Sequence, residues 1–461
     1  MKKTLEKYID ISKKILNFKN VRYAEIRIEE YTSTTIGIIG KEVEDAKTSE
    51  NLGGSCRILS DYGWGFVSFN NLDNLEEYYK KTFEQSKLVK REKINICYIN
   101  PIQAHMIMIP DDNPFSYSLT DKFEVCKKYN DLIIANKNIQ SSSVRYRDLL
   151  KKTIFLNTEG SEIYSDSVFC GISLTAIARD GANVQTGYST IGDYNGFSQN
   201  ILNREKYCEE IKERALRLLK AEPVKPGKYT VIIDPILCGV FTHEAFGHLS
   251  EADFIYENPQ LQKIMKIGRR FGSEELNIID DPTIPNLAGT YQYDSEGVAA
   301  KKVYLIKNGI LTGRLHSRET AKKMNEELTG HSRAINYSYE PIVRMSNTYM
   351  DKGKYSPEEI ITATDYGIYA KGALGGMTNT EMFTFSSEEA YEIKNGKITK
   401  PLRDVILTGN VFETLKNIDM FGNDLQLHGG LGGCGKAGQS PLPVSDGGPH
   451  IRIKDVIIGG K

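Results

Sequence analysis

The stretch AEPVKPGKY at residues 221–229 sets two prolines and a glycine directly after a helix-forming run, so no helix can pass through it. Before it, apolar residues recur at helical or alternating spacing; after it, glycine and β-branched residues become frequent. A chain of 461 residues is long for one ordinary core. The break is therefore read as a boundary between an N-terminal domain over 1–222 and a C-terminal domain over 223–461. The expected class is α+β: a mixed α/β first domain, then a largely β domain that carries one buried helix.

In the first domain Leu5, Ile9, Ile11 and Ile15 fall near helical spacing. Ala24, Ile26 and Ile28 then alternate with Glu25, Arg27 and Glu29 as in a half-buried strand. Short strands are expected over 35–39, 55–59 and 64–69, and helices over 74–89 and 121–135. Two further strands, 153–157 and 163–178, are joined by a turn at 158–160, and a helix over 204–220 closes the domain. In the second domain VYLIKNGILTGRL and AYEIKNGKITKPL each set an Asn-Gly pair between alternating apolar positions. Asn308-Gly309 and Asn395-Gly396 are thus predicted hairpin turns.

Composition excludes several functions. The formal net charge is −1, with basic residues dispersed among acidic ones, so no field recruits nucleic acid or an anionic membrane. The 26 tyrosines are scattered the same way and read as packing rather than as a base-stacking platform. No apolar run approaches the length of a membrane span. Glu6, Asp10, Lys13 and Lys14 interrupt the N-terminal apolar residues, which suits an amphipathic helix better than a leader. The seven cysteines are scattered without a CxxC pair, as in a reducing cytoplasm.

The chemistry concentrates in PILCGVFTHEAFGHLSEAD. Pro235 opens a segment whose Ile236, Leu237, Val240, Phe241 and Ala245 suit a buried helix, and His243, Glu244 and His248 lie on it. A catalytic zinc takes about three nitrogen, sulfur or oxygen ligands and keeps a position for water. It lowers the pKa of that water to about 7. Glu244, beside the first histidine, is placed to take the proton and pass it to a leaving amine. The histidines are five residues apart, not the four of HExxH, and a regular helix turns the second away by about 140°. Two devices would restore the pairing: a π-type turn, which admits one extra residue, or helix termination at Gly247 with His248 just beyond it. From spacing alone, two histidines satisfied in a core or at the surface remain the alternative.

Glu251 and Asp253 supply carboxylates that could orient His248, or they lie on a solvated acidic helix end. Cys434 sits in GGLGGCGK, where Gly429, Gly430, Gly432, Gly433 and Gly435 free the backbone from ordinary φ limits. Such a loop could carry a thiolate to a distant metal; a flexible linker with an incidental cysteine is the plainer reading of the loop alone. It lacks the Lys-Ser/Thr ending of a phosphate loop, so no nucleotide is assigned. His428 and His450 compete as ligands and read better as surface or substrate-facing residues. His316 and His331 have no partner pattern and read as structural.

HEAFGHLSEAD, EPIVRMSNTYM, GIYAKGALGGMTNTEMFTFSSEEAYEIKNGKITKP, GNDL and GCGKAGQSPLPVSDGGPHIRI together resemble the TldD/PmbA family. YAEIRIEE and NLGGSCRILSDYGWGFVSF extend the likeness, more weakly, through the first half. TldD-type members carry HExxxH and a C-terminal cysteine, whereas PmbA (TldE)-type members lack the metal motif. This chain keeps both elements. The resemblance implies a zinc metallopeptidase with Zn2+ on His243, His248 and Cys434 and with Glu244 as the catalytic carboxylate. It also implies a two-subunit particle, a homodimer or a heterodimer with a TldE/PmbA-like subunit, acting on small or unfolded peptides. An extended peptide added to a sheet edge is the expected binding mode. One rival is a non-catalytic peptide-binding or regulatory subunit, which the family's older label, modulator of DNA gyrase, invites. Another is hydrolysis of a non-peptide amide by the same chemistry.

Overall fold

Alternation of side chains organises the first half around one large sheet. The computed structural model describes residues 2–16, 21–88, 93–379 and 381–459. Strands Tyr23–Ile39, Glu42–Leu59, Ile139–Asn157 and Glu162–Asp180 run 17 to 19 residues each and pair antiparallel. Trp64–Phe69 closes one edge, while Gln103–Met108 and Asn183–Asp193 pair with opposite ends of Glu162–Asp180 at the other. The short strands expected at 24–28 and 35–39 are therefore one strand, and 55–59 is the end of another. Sequence reading broke them at polar stretches such as YTSTT, which a pleated sheet tolerates because threonine is β-branched.

Even-numbered positions point to one face. Ile26, Ile28, Ile36, Ile38, Val144, Tyr146, Ile154 and Leu156 are buried there. Helices Lys2–Leu16 and Leu75–Ser86 cover one end, and Leu119–Ile134 with Glu205–Lys220 cover the other. The helix expected over 74–89 thus stops at Ser86, and Val89 lies outside the described residues. Odd-numbered positions correct the half-buried reading: Glu25, Arg27 and Glu29 are only 4%, 5% and 1% exposed. The second half covers them. Arg57 donates to Glu296 at 2.7 Å, Arg27 to the Ser295 carbonyl at 2.5 Å, and the Tyr337 N–H to Glu29 at 2.7 Å. A polar face is buried here by pairing, which a single strand's pattern cannot reveal.

Among the described residues, the second half holds a ten-stranded sheet, a six-stranded sheet and two short hairpins. Gly227–Ile233 sits inside the larger sheet, parallel to Tyr366–Lys371 and antiparallel to Ile451–Gly459. Both Asn-Gly turns form: Asn308 and Asn395 have φ of 51° and 52°, and the glycines after them 76° and 68°. That is the left-handed pair a tight hairpin needs. Strand outweighs helix, 43% to 25%, and the helices do not alternate with parallel strands, so the class is α+β. Asp234 caps the helix Pro235–Thr242 through the Leu237 N–H at 2.9 Å. At Gly239 a Cβ would stand 2.6 Å from Gly447 N, so glycine alone permits the helix to lie on Ser445–Gly448.

One buried carboxylate ties together the strands beneath the site. Asp280 accepts from His331 Nε2 at 2.9 Å, the Ser346 N–H at 2.9 Å, Thr348 Oγ1 at 2.6 Å and also Ser346 Oγ. Burial alone would raise its pKa, but His331 and the two hydroxyls hold it below the usual carboxylate range. Such a group stabilises the fold above its unfolded pKa of about 3.9, and the contribution fades as pH falls toward the folded value. Asp280→Asn is expected to destabilise the chain by about 3 kcal/mol at pH 7 in urea titration. The difference from the parent should shrink below about pH 4. An unchanged midpoint at pH 7 would remove Asp280 from this role.

Candidate metal centre

The helix Pro235–Thr242 does not run on regularly. His243–Gly247 forms a π turn in which the His248 N–H donates to the His243 carbonyl, five residues back. Of the two devices open to the sequence, the extra residue within the turn is the one used. Gly247 serves a different purpose from termination, since a Cβ there would lie 2.1 Å from Met345 Sδ. The turn brings the two imidazoles together, ring centroids 5.2 Å apart and planes at 87°.

Cys434 arrives from 186 residues beyond His248. It opens the strand Cys434–Lys436, which hairpins onto Gln439–Leu442 with Cys434 opposite Leu442. The glycines around it were expected to supply unusual φ angles, and none of the five is left-handed. Gly429 and Gly433 supply space instead. A Cβ at Gly433 would meet the Leu442 carbonyl at 2.3 Å, and one at Gly429 the Gly192 carbonyl at 2.5 Å. Backbone packs on backbone, so the loop is held in place. Arg344, wholly buried, donates from Nη2 to the Cys434 carbonyl at 2.7 Å.

Cys434 Sγ ends 3.5 Å from His248 Nε2. One donor atom each from His243, His248 and Cys434 lies within 4.8 Å of the others, and no other such group of three occurs among the described residues. Burial would push the Cys434 thiol up, but hydrogen bonds and charge from His243 and His248 bring it down to about 5. Burial likewise opposes charge on His248, yet Cys434 and Glu251 raise it to about 10. The thiolate is the form that ligates metals. His243 Nδ1 is buried without a hydrogen-bond partner. Two imidazoles and a thiolate, one nitrogen left unsatisfied, form a donor set that fits a borderline-soft divalent cation with a position to spare.

The Glu244 carboxylate stands 3.9 Å from His248 Nε2 and is 30% exposed, so it faces both the donor group and solvent. Glu251, fully buried, pairs with His248 Nδ1 at 3.0 Å, which leaves Nε2 toward Cys434. Asp253, expected to orient His248 as well, does not touch it. It pairs with Lys436 Nζ at 2.7 Å, and Lys436 in turn lies 3.1 Å from Glu251. Sequence reasoning missed Lys436 and left Arg344 without a role. The available signal for Lys436 was its place two residues from Cys434, hence on the same strand face. The rival histidines go elsewhere. His450 is held by Asp424 at 2.6 Å and Tyr369 at 2.7 Å, and His428 is half-buried outside the donor group. His316 engages Thr320 and Glu326, and His331 engages Asp280.

Known proteins resemble this chain along nearly its whole length. Models of PmbA/TldA metallopeptidases match in three pieces: domain 1 over 24–86, the central domain over 112–219 and the C-terminal domain over 226–460. A metalloprotease of Synechocystis sp. is 40% identical over 440 residues, 95% of either chain. A zinc metalloprotease TldD homolog of Saccharolobus solfataricus is 31% identical, covering 98% of this chain and 99% of its own. Among solved structures, a protein named as a modulator of DNA gyrase from Bacteroides thetaiotaomicron has a TM-score of 0.80 at 20% identity, covering 99% of both chains. TldE from Thermococcus kodakarensis has a TM-score of 0.75 at 19% identity, covering 99% of this chain and 100% of its own. At such identity the two structures speak for the fold alone. The family models and the 40% relative decide the matter: this chain belongs to the PmbA/TldA metallopeptidase family.

Proposed function

We propose that the chain is a zinc peptidase in which His243, His248 and Cys434 hold the metal and Glu244 moves the proton. The observation that carries this reading is the convergence of three donors beside a partly exposed carboxylate. Zinc held there supplies a Lewis acid and brings the pKa of water to about 7. Glu244 takes the proton of the attacking water and returns it to the departing amine. Glu251 keeps its partner proton on His248 Nδ1, so the ring presents Nε2 inward. Lys436 joins Glu251 and Asp253 to the cysteine strand and so keeps the thiolate against the histidines.

The substrate in this reading is an extended peptide. Gly375–Asn379 is the outer strand of the ten-stranded sheet, and among the described residues it pairs only with Met382–Ser386. It passes beside His243–Gly247. Its free edge offers backbone groups to a peptide, which favours unfolded or small chains over folded domains. Residues 223–461 carry the chemistry, and residues 1–222 form the unit that covers it. A second subunit, another copy or a TldE/PmbA-like chain, completes the particle. The seven cysteines are all unpaired, and a thiolate ligand suits a reducing compartment such as the cytoplasm.

Purified protein is expected to carry about one zinc per chain by elemental analysis. Glu244→Gln should keep that metal and lower kcat on an unstructured peptide by about 10²–10⁴. Undiminished cleavage by this variant, or parent protein free of zinc, would sink the reading; metal-free protein that still binds peptide would favour the regulatory subunit. Small amides cleaved in preference to peptides would favour the amidase alternative. Cys434→Ala should lose most of its zinc. Lys436→Met should weaken zinc by about 10–100-fold in chelator competition, with Lys436→Arg recovering part of the loss; equal affinity in all three would deny Lys436 its positioning role.

A further inference from the structure

The odd-numbered face of the first sheet does not close fully against the second half. It leaves a cavity of about 470 Å³, within the usual range for small-ligand sites. Arg27 and Arg147 form part of its floor; Arg333 and the backbone at 430–432 and 441–443 form part of its roof.

The charge in this cavity is unbalanced. Lys151 is matched by Glu29 at 3.0 Å. Asp294 spends its oxygens on the N–H groups of Glu296, Val298 and Ser332, each at 2.9 Å. Arg27, Arg147 and Arg333 remain, and among the described residues none has a carboxylate oxygen within 4.0 Å. Arg27 donates to the Ser295 carbonyl at 2.5 Å. Arg333 spends two of its five N–H groups on the carbonyls of Met345 at 2.5 Å and Pro443 at 2.9 Å, with its guanidinium 4.9 Å from the Tyr291 ring centroid. Arg27 is buried and Arg333 half-buried, so their charges are costly to keep without a counter-ion, while Arg147 is exposed and free to meet an entering anion.

The cavity reaches the hairpin that carries Cys434, although none of the three donors lines it. Leu442 lines it and lies opposite Cys434 in the hairpin, and Pro443, which Arg333 holds, is the next residue. We propose that this cavity is a carboxylate-binding subsite for the peptide substrate, with Arg147 and Arg333 as the recognising cations. The proposal rests on the peptidase reading and adds a preference for acidic substrates to it. A planar guanidinium matches a carboxylate at two points, which sets it apart from the ladder contacts of a sheet edge. The carboxylate is either an acidic side chain or the C-terminus of the peptide.

The test is equilibrium binding of labelled, unstructured peptides to the full chain carrying Glu244→Gln, read by fluorescence anisotropy. The peptides carry Asp and Glu, or Asn and Gln in their place, each with a free or amidated C-terminus. The acidic peptide should bind on the order of tenfold tighter than its fully neutral counterpart. Arg147 is exposed, so Arg147→Ala should fold and should erase that gap. Arg333→Lys should narrow the gap while keeping the charge. Loss on amidation assigns the C-terminus; loss with Asn and Gln assigns the side chain. Equal Kd values for acidic and neutral peptides, or a preference that survives both arginine variants, would overturn the subsite. Failure of the peptidase reading shows itself differently, as absent cleavage by the parent with these Kd values intact.

Discussion

The hydrogen bond from the His248 N–H to the His243 carbonyl is the constraint on which the rest of the site depends. In a regular helix that N–H would reach the Glu244 carbonyl, and the second imidazole would point away by about 140°. Admitting one residue into the turn brings both rings to the same side, with Glu244 between them in sequence and its carboxylate close by. The site's geometry is a helix defect, and the surroundings are shaped to keep it. Met345 fills the space over Gly247, where any side chain would collide with it.

The short segment around Val343 to Ser346 gathers the whole centre. The Val343 carbonyl accepts from Lys436 Nζ, Arg344 holds the Cys434 carbonyl, Met345 packs on Gly247, and Ser346 is fastened to Asp280. Consecutive residues therefore reach the cysteine hairpin, the π turn and the buried carboxylate. Sequence reading had singled out EPIVRMSNTYM only as a family-like stretch. Its role becomes visible once the neighbouring strands are in place, because each contact is to a residue far away in the chain. The buried guanidinium of Arg344 is an example: it meets carbonyls of residues 434 and 439, and nothing near position 344 foreshadows them.

Much of the fold was legible because its signals are local. Alternation of Ile26 and Ile28 with Glu25, Arg27 and Glu29 correctly gave a strand and its two faces. It misjudged the second face, since Ser295 and Tyr337 meet Arg27 and Glu29, and Glu296 meets Arg57 on the next strand, from more than 200 residues away. Asn308-Gly309 and Asn395-Gly396 gave their hairpins because a left-handed pair is a property of two residues. The glycines near Cys434 were assigned the wrong freedom. None of them is left-handed, and at Gly429 and Gly433 it is close backbone contact, not turn geometry, that excludes a side chain.

By itself the sequence determined the alternation of Ala24 to Glu29, the tight turns, the end of the helix Glu205–Lys220 and the choice between two ways of pairing His243 with His248. These depend on steric and hydrogen-bonding preferences within about five residues. Only the tertiary structure decided which device was used, that Cys434 rather than His428 or His450 meets the histidines, and that Lys436 links the hairpin to Glu251 and Asp253. The physical reason is distance along the chain. Two elements separated by 186 residues meet only through the packing of everything between and around them, and no local preference encodes that meeting.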